Sequence, residues 1–197
     1  MKIKDRAKPK MPPVEPGVYI AVCVGVIDLG EQYSDKFKNY SPKIKLVFEL
    51  VGETIEVDGK QEPRQLSKEF TMSTSKKSTL RAFLQSWNTK SYSDEEFGEI
   101  DLFDQLGKPC QLTVVLSENK EYANIEGIMG LPKGMPAPAT DTKLIAWDIE
   151  KWDDALFEEL PEWIREQVKK STQYQKLHAS TETVEVKPNE EKPDCPI

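Results

Sequence analysis

Apolar residues alternate through the first half of the chain and then change period. Across residues 17–29, Val18, Ile20, Val22, Val24 and Val26 share one face, and Tyr19, Ala21, Cys23 and Gly25 share the other. This predicts a long strand with a bend or bulge at Gly25. Residues 43–51 predict a second strand, with Ile44, Leu46, Phe48 and Leu50 on one face and Lys43, Lys45, Val47 and Glu49 on the other. Residues 30–42 and 52–64 read as loops, the second carrying the turn pair Asp58-Gly59. A third strand is predicted over 65–73, with Leu66, Phe70 and Met72 on one face.

From residue 76 the spacing becomes helical. Leu80, Phe83, Leu84 and Trp87 fall at i, i+3, i+4 and i+7, with Ser75 as the expected N-cap. Ser93 and Glu96 form a capping-box pattern that opens a second short helix, ended at Gly107 after Phe103 and Leu106. Strands follow at 108–116 and 122–131. The order β-β-β-α-β-β over residues 16–134 predicts a mainly β fold with some helix. It is the order of a five-stranded OB-fold-like barrel, although a two-layer α+β sheet fits the same string.

The remaining segments differ in composition. Residues 1–15 read as a flexible basic arm, since the first ten hold five positive charges and one negative. Residues 135–143 read as a Pro/Ala linker, and residues 144–170 as a helical segment with Phe157, Leu160, Ile164 and Val168 in one stripe and Trp163 beside it. Such a segment is too short to hold its own core and must pack on the barrel or on a partner. Residues 171–197 are mostly polar and predict a disordered acidic tail.

The net charge of −7 is unevenly spread: residues 31–90 carry eleven positive and eight negative charges, residues 91–178 nine and eighteen. That asymmetry points to a charged partner for one face. Catalytic chemistry is poorly supplied. No Gly-rich phosphate loop is present, and a single histidine, His178, leaves no Ser-His-Asp or Cys-His set. The acidic run Asp94, Glu95, Glu96, Glu99 and Asp101 reads as a solvated helix face, and Lys76, Lys77 and Arg81 as solvated charges. Cys23, Cys110 and Cys195 are unpaired in spacing, so buried thiols are expected rather than disulfides or zinc. No catalytic residue, metal or cofactor is expected. No segment has the roughly 20 apolar residues of a membrane span, and a cytoplasmic protein is expected.

One constellation combines aromatics with cations. The segment after the first strand holds Tyr33, Lys36, Phe37, Lys38 and Tyr40, followed by Lys43 and Lys45, with Lys68 on the third strand as an extension. Rings offer stacking surfaces to bases and lysines track phosphates, the pairing that single-strand binding needs. The loop and strands concerned are the usual binding surface of an OB-fold.

The motifs at residues 17–23 and 26–30, the helix with Leu80, Leu84 and Trp87, residues 101–108 and residues 122–134 together resemble a group of small bacteriophage proteins. That group is regarded as single-stranded-DNA-binding proteins of OB type. The likeness spans about residues 14–170, with Trp163 included, and mostly describes folding positions. It implies sequence-independent single-stranded DNA binding in phage replication or recombination, in the cytoplasm of the bacterial host; a homo-oligomer is compatible with it. The end of the chain, with Asp194, Pro196 and Ile197, is similar to the partner-docking tips of bacterial single-strand binders, which implies a contact with replication or recombination proteins. The rival expectation is a protein–protein adaptor that uses the barrel and a contact built from Trp147, Trp152 and Trp163.

Overall fold

Two long hairpins dominate the structure, a computed structural model that describes residues 12–179. Strand β1 (Gly17–Ser34) pairs antiparallel with β2 (Asn39–Val57), which pairs antiparallel with β3 (Lys60–Thr71). After helices α1 (Thr79–Asn88) and α2 (Asp94–Gly98) and a 3-10 turn (Leu102–Gln105), β4 (Pro109–Leu116) joins the free edge of β1, and β5 (Ala123–Met129) joins β4. The order is β3-β2-β1-β4-β5. A short β6 (Ile145–Trp147) pairs parallel with Gly25–Ile27 and so continues along the β1 edge where β4 stops. Helices α3 (Asp154–Glu159), α4 (Glu162–Val168) and α5 (Thr172–Ala179) complete the described chain.

The fold is therefore mainly β with helices, as the patterning predicts. Six strands form where five were expected. No backbone ladder joins β3 to β5 among the described residues, so by pairing the sheet is open. The two outer strands still approach each other: Lys68 Nζ of β3 donates to the Ile125 carbonyl of β5 at 2.5 Å.

Several element boundaries differ from expectation, each for a physical reason. Residues 30–42 are not a loop: β1 runs to Ser34 and β2 starts at Asn39, so the segment is the outer end of a hairpin. Likewise Thr54–Val57 pairs with Lys60–Pro63 around Asp58 and Gly59, whose φ values of 50° and 79° are those of the predicted tight turn. Helix α1 starts at Thr79 rather than near residue 76, with Ser78 instead of Ser75 as N-cap. The capping box at Ser93 forms with both of its hydrogen bonds.

The largest revision concerns the faces of β1. Register shifts against β2 fall between Cys23 and Gly25 and between Asp28 and Gly30. One extra residue reverses the side on which every later side chain points. Ala21, Cys23 and Val26 thus face one cluster, with Ile44, Leu46, Phe48, Leu50, Phe83, Leu84, Trp87 and Leu112. Val24, Ile27 and Leu29 face the other, with Val47, Trp147, Phe157, Leu160, Ile164 and Val168. At Gly25 an added Cβ would sit 3.0 Å from Val47 Cβ, which explains glycine at the bulge.

The C-terminal segment accordingly packs on the outer face of the β1–β2 hairpin. Its approach is fastened by the expected linker, whose Thr140 and Thr142 hydroxyls donate to Glu49. The expected tail starts too early: residues 172–179 are helix α5, Ser171 is fully buried, and His178 stacks on Tyr174 with ring centroids 4.1 Å apart. The expected arm likewise runs too far, since Val14 is buried in the inner cluster and the Pro12 carbonyl accepts from Arg64. Residues 1–11 and 180–197 lie outside the described residues, and with them Asp194, Cys195, Pro196 and Ile197.

Candidate nucleic-acid interface

At the outer end of the β1–β2 hairpin none of residues 33–40 belongs to either buried cluster of the described residues, yet aromatic residues persist there. Tyr33 and Tyr40 are direct cross-strand partners, and their rings stand 5.2 Å apart at 59°. They are 49% and 54% exposed, and Phe37 at the tip is 70% exposed. Lys36 Nζ lies 5.4 Å from the Phe37 ring centroid. Lys38 takes a positive φ of 52° to close the turn, and its ammonium is 3.9 Å from Asp35, both fully in solvent reach. The extended ladder is what brings these five residues together. Cross-strand aromatic pairing also stabilises a ribbon that has no core beneath it.

Farther down the hairpin the cations make contacts within the fold, Lys43 in part and Lys45 wholly. Lys43 Nζ donates to Thr71 Oγ1 at 2.8 Å and lies 4.0 Å from Glu69. Lys45 is buried: its ammonium donates to Gln167, sits 3.7 Å from Glu69 and lies 4.7 Å from the Trp163 ring centroid. Burial lowers the pKa of Lys45, and Glu69 opposes that shift. Lys45 is thus covered by α4 rather than open on a strand face. Lys68 leaves the track altogether. It pairs with Leu46 across the β2–β3 ladder, on the face of the inner cluster, and its ammonium lies 5.8 Å from the Phe83 ring. The continuous lysine track expected from the alternation is therefore reduced to Lys36, Lys38 and Lys43.

Other charges expected in solvent are also used in folding. Arg81 is buried, donates to Asp94 at 2.7 Å and to the Tyr92 carbonyl, and lies over the Phe97 ring at 5.2 Å. The Arg81 guanidinium, with Lys76, holds the Asp94 carboxyl below its usual range. A groove of about 440 Å³ collects Asp28, Glu99, Asp101 and Asp148, but Asp101 caps the Phe103 N–H and Asp148 pairs with Lys151 at 3.0 Å. Among the described residues no group of three or more His, Cys, Asp or Glu side chains is placed to hold a metal.

Sequence reasoning missed Trp163, Gln167 and Glu69 as neighbours of the lysines. Trp163 was visible as an aromatic off the apolar stripe; what it faces, on a strand far away in sequence, leaves no local signal. Trp147 and Trp152 pack edge to face at 5.2 Å, Trp147 buried in the outer cluster and Trp152 partly buried against it. No helix among the described residues is long and apolar enough to cross a membrane. No protein-family model matches the chain, and no curated protein matches it significantly.

Proposed function

We propose that the protein binds single-stranded DNA without chemistry on it, largely independent of sequence, through the outer end of the β1–β2 hairpin. The observation that carries this reading is the convergence of three exposed aromatic rings, Tyr33, Phe37 and Tyr40, with Lys36 and Lys38 on a hairpin end that belongs to neither buried cluster of the described residues. Stacking on a ring face is worth roughly 1–3 kcal/mol per base and tolerates any base. The strand order supports an OB-type barrel, closed between β3 and β5 by side chains such as Lys68 rather than by a ladder; in such barrels the connection between the first two strands borders the ligand. The setting proposed is phage DNA replication or recombination in the cytoplasm of a bacterial host, with the end of the chain docking a partner protein.

The test is anisotropy of a labelled oligothymidine, with duplex DNA and RNA as competitors, at several salt concentrations. With Lys36, Lys38 and Lys43 contacting phosphates, log K should fall against log salt with a slope of about −2, at roughly −0.7 per contact on single strands. A slope near zero, or equal affinity for duplex DNA, overturns the reading.

A further inference from the structure

Trp163 projects from α4 next to the buried stripe of Phe157, Leu160, Ile164 and Val168, but it is itself 49% exposed. One side of its ring is occupied by the Lys45 ammonium at 4.7 Å. Lys45 is held in turn by Gln167 of the same helix, and the Gln167 carbonyl accepts from Gln32 Nε2 of β1 at 3.0 Å. The indole thus sits against Lys45 of β2 on a helix tied to β1 through Gln32, and about half of its surface faces solvent.

The position of the ring relative to the hairpin matters. Cross-strand partners share a face, so the β1–β2 register places Gly30 with Lys43, Gln32 with Ser41, and Ile27 with Lys45 on the face that α4 covers. Trp163 therefore lies at the inner end of a polar strip made by Gln32, Ser41 and Lys43, on the face opposite the Tyr33–Tyr40 pair, and the two faces meet at the Lys36–Phe37–Lys38 turn, where a strand leaving Phe37 passes onto the strip. Two other tryptophans are enclosed, Trp87 at 3% exposed and Trp147 at 1%. Trp152 packs against Trp147, Phe157 and Tyr174.

We infer that Trp163 is a base-stacking residue of the single-strand interface, taking a nucleobase on its open side while Lys43 meets the adjoining phosphate. The C-terminal segment is then part of the binding surface as well as a cover for β1 and β2. The inference rests on the single-strand reading above. A ring that already rests on a cation on one side has less freedom to lose when a base stacks on the other, which favours binding at that position.

The experiment uses the full chain with oligothymidine and reads both intrinsic tryptophan emission and anisotropy of a labelled oligomer. Wild-type emission should be quenched on binding, and W163F should lose most of that quenching while keeping affinity close to wild type. W163L, which keeps apolar bulk beside the stripe but has no ring, should bind roughly 5- to 150-fold more weakly, with an unchanged melting temperature. Wild-type affinity in folded W163L, or full quenching in W163F, overturns the inference and leaves the single-strand reading standing. Should W163L fail to fold, the W163F quenching decides alone. Absence of any oligothymidine binding by wild type overturns both.

Discussion

Gly30 sits at the second register shift of β1, with a φ of +69°, under the C-terminal segment. A Cβ there would lie 2.8 Å from both Gln173 Oε1 and Ile149 Cδ1 and 2.9 Å from Ser171 Cβ. Gly30→Ala combines left-handed backbone strain of roughly 1–2 kcal/mol with overpacking of roughly 1–3 kcal/mol. A loss of about 2–5 kcal/mol in denaturant unfolding is expected. Gly52→Ala, also at positive φ (80°) but with nothing near its Cβ, should lose only the strain. Asp28, two residues before Gly30, carries the opposite kind of tension. Burial raises its pKa, and Asp148 and Glu150 add to the rise, although its Oδ1 accepts the Gly30 N–H at 2.8 Å. A carboxyl with a folded pKa above its unfolded value destabilises the fold once ionised; the penalty shrinks as pH falls below the folded pKa and is gone below the unfolded one. Asp28→Asn keeps the acceptor and removes the charge. It should therefore raise the unfolding midpoint at pH 7 and show no difference below about pH 4, near the unfolded value.

At the scale of elements, the β1–β2 hairpin divides into a packed half and a free half. Replacing residues 33–40 by a two-residue Asn-Gly turn, which keeps the Gln32–Ser41 pair and the Gln32 bond to the Gln167 carbonyl, should leave thermal stability within a few degrees, because none of the removed residues belongs to either buried cluster, and should abolish oligothymidine binding. Loss of folding instead would show that the ribbon supports the sheet. The same division explains what could be read from sequence. The central strands announce themselves because Ile44, Leu46, Phe48 and Leu50 must alternate to fill a core. Ser93 and Glu96, or Asp58 and Gly59, are local chemistry and are equally legible. The hairpin ends have no core to fill, so Gln32, Ser34, Asn39 and Ser41 look like loop although they are strand. The bulges of β1 are invisible for a related reason: Val24 is as apolar as Val22 or Val26, and only pairing with β2 decides which face each one takes. For the candidate site, the aromatic and basic cluster was legible as composition, whereas the capture of Lys45 by Trp163 and Gln167 and the position of Lys68 depend on tertiary contacts.

For the molecule as a whole, the two buried clusters lie on opposite faces of one ladder, so the C-terminal segment and the sheet should unfold together. Two truncations test how much of the C-terminal region the fold needs. Removing residues 180–197 should leave the unfolding midpoint unchanged, and should leave DNA affinity equal or raise it, because five acids against two lysines compete with phosphate for the same cations. That gain should shrink as salt rises. Removing residues 171–197 takes away Ser171, the Gln173 contact to the Glu31 N–H and the Tyr174 packing on Trp152. It should lower the midpoint clearly in the same single transition. A midpoint unchanged by the longer deletion would mean that α5 contributes nothing to the fold.

Cys23 and Cys110 give this cooperativity a chemical clock. Both thiols are enclosed on neighbouring strands β1 and β4, burial pushes Cys23 up to about 12, and Cys110 is raised further still. Because the thiolate is the nucleophile, neither should react with iodoacetamide at neutral pH while β1 and β4 stay joined. In a Cys195→Ser background, alkylation at both positions with one shared rate would time the opening of the whole sheet, read by mass spectrometry without any label placed in the protein. Two separate rates would instead reveal that the edge carrying β4 and β5 opens before the hairpin does.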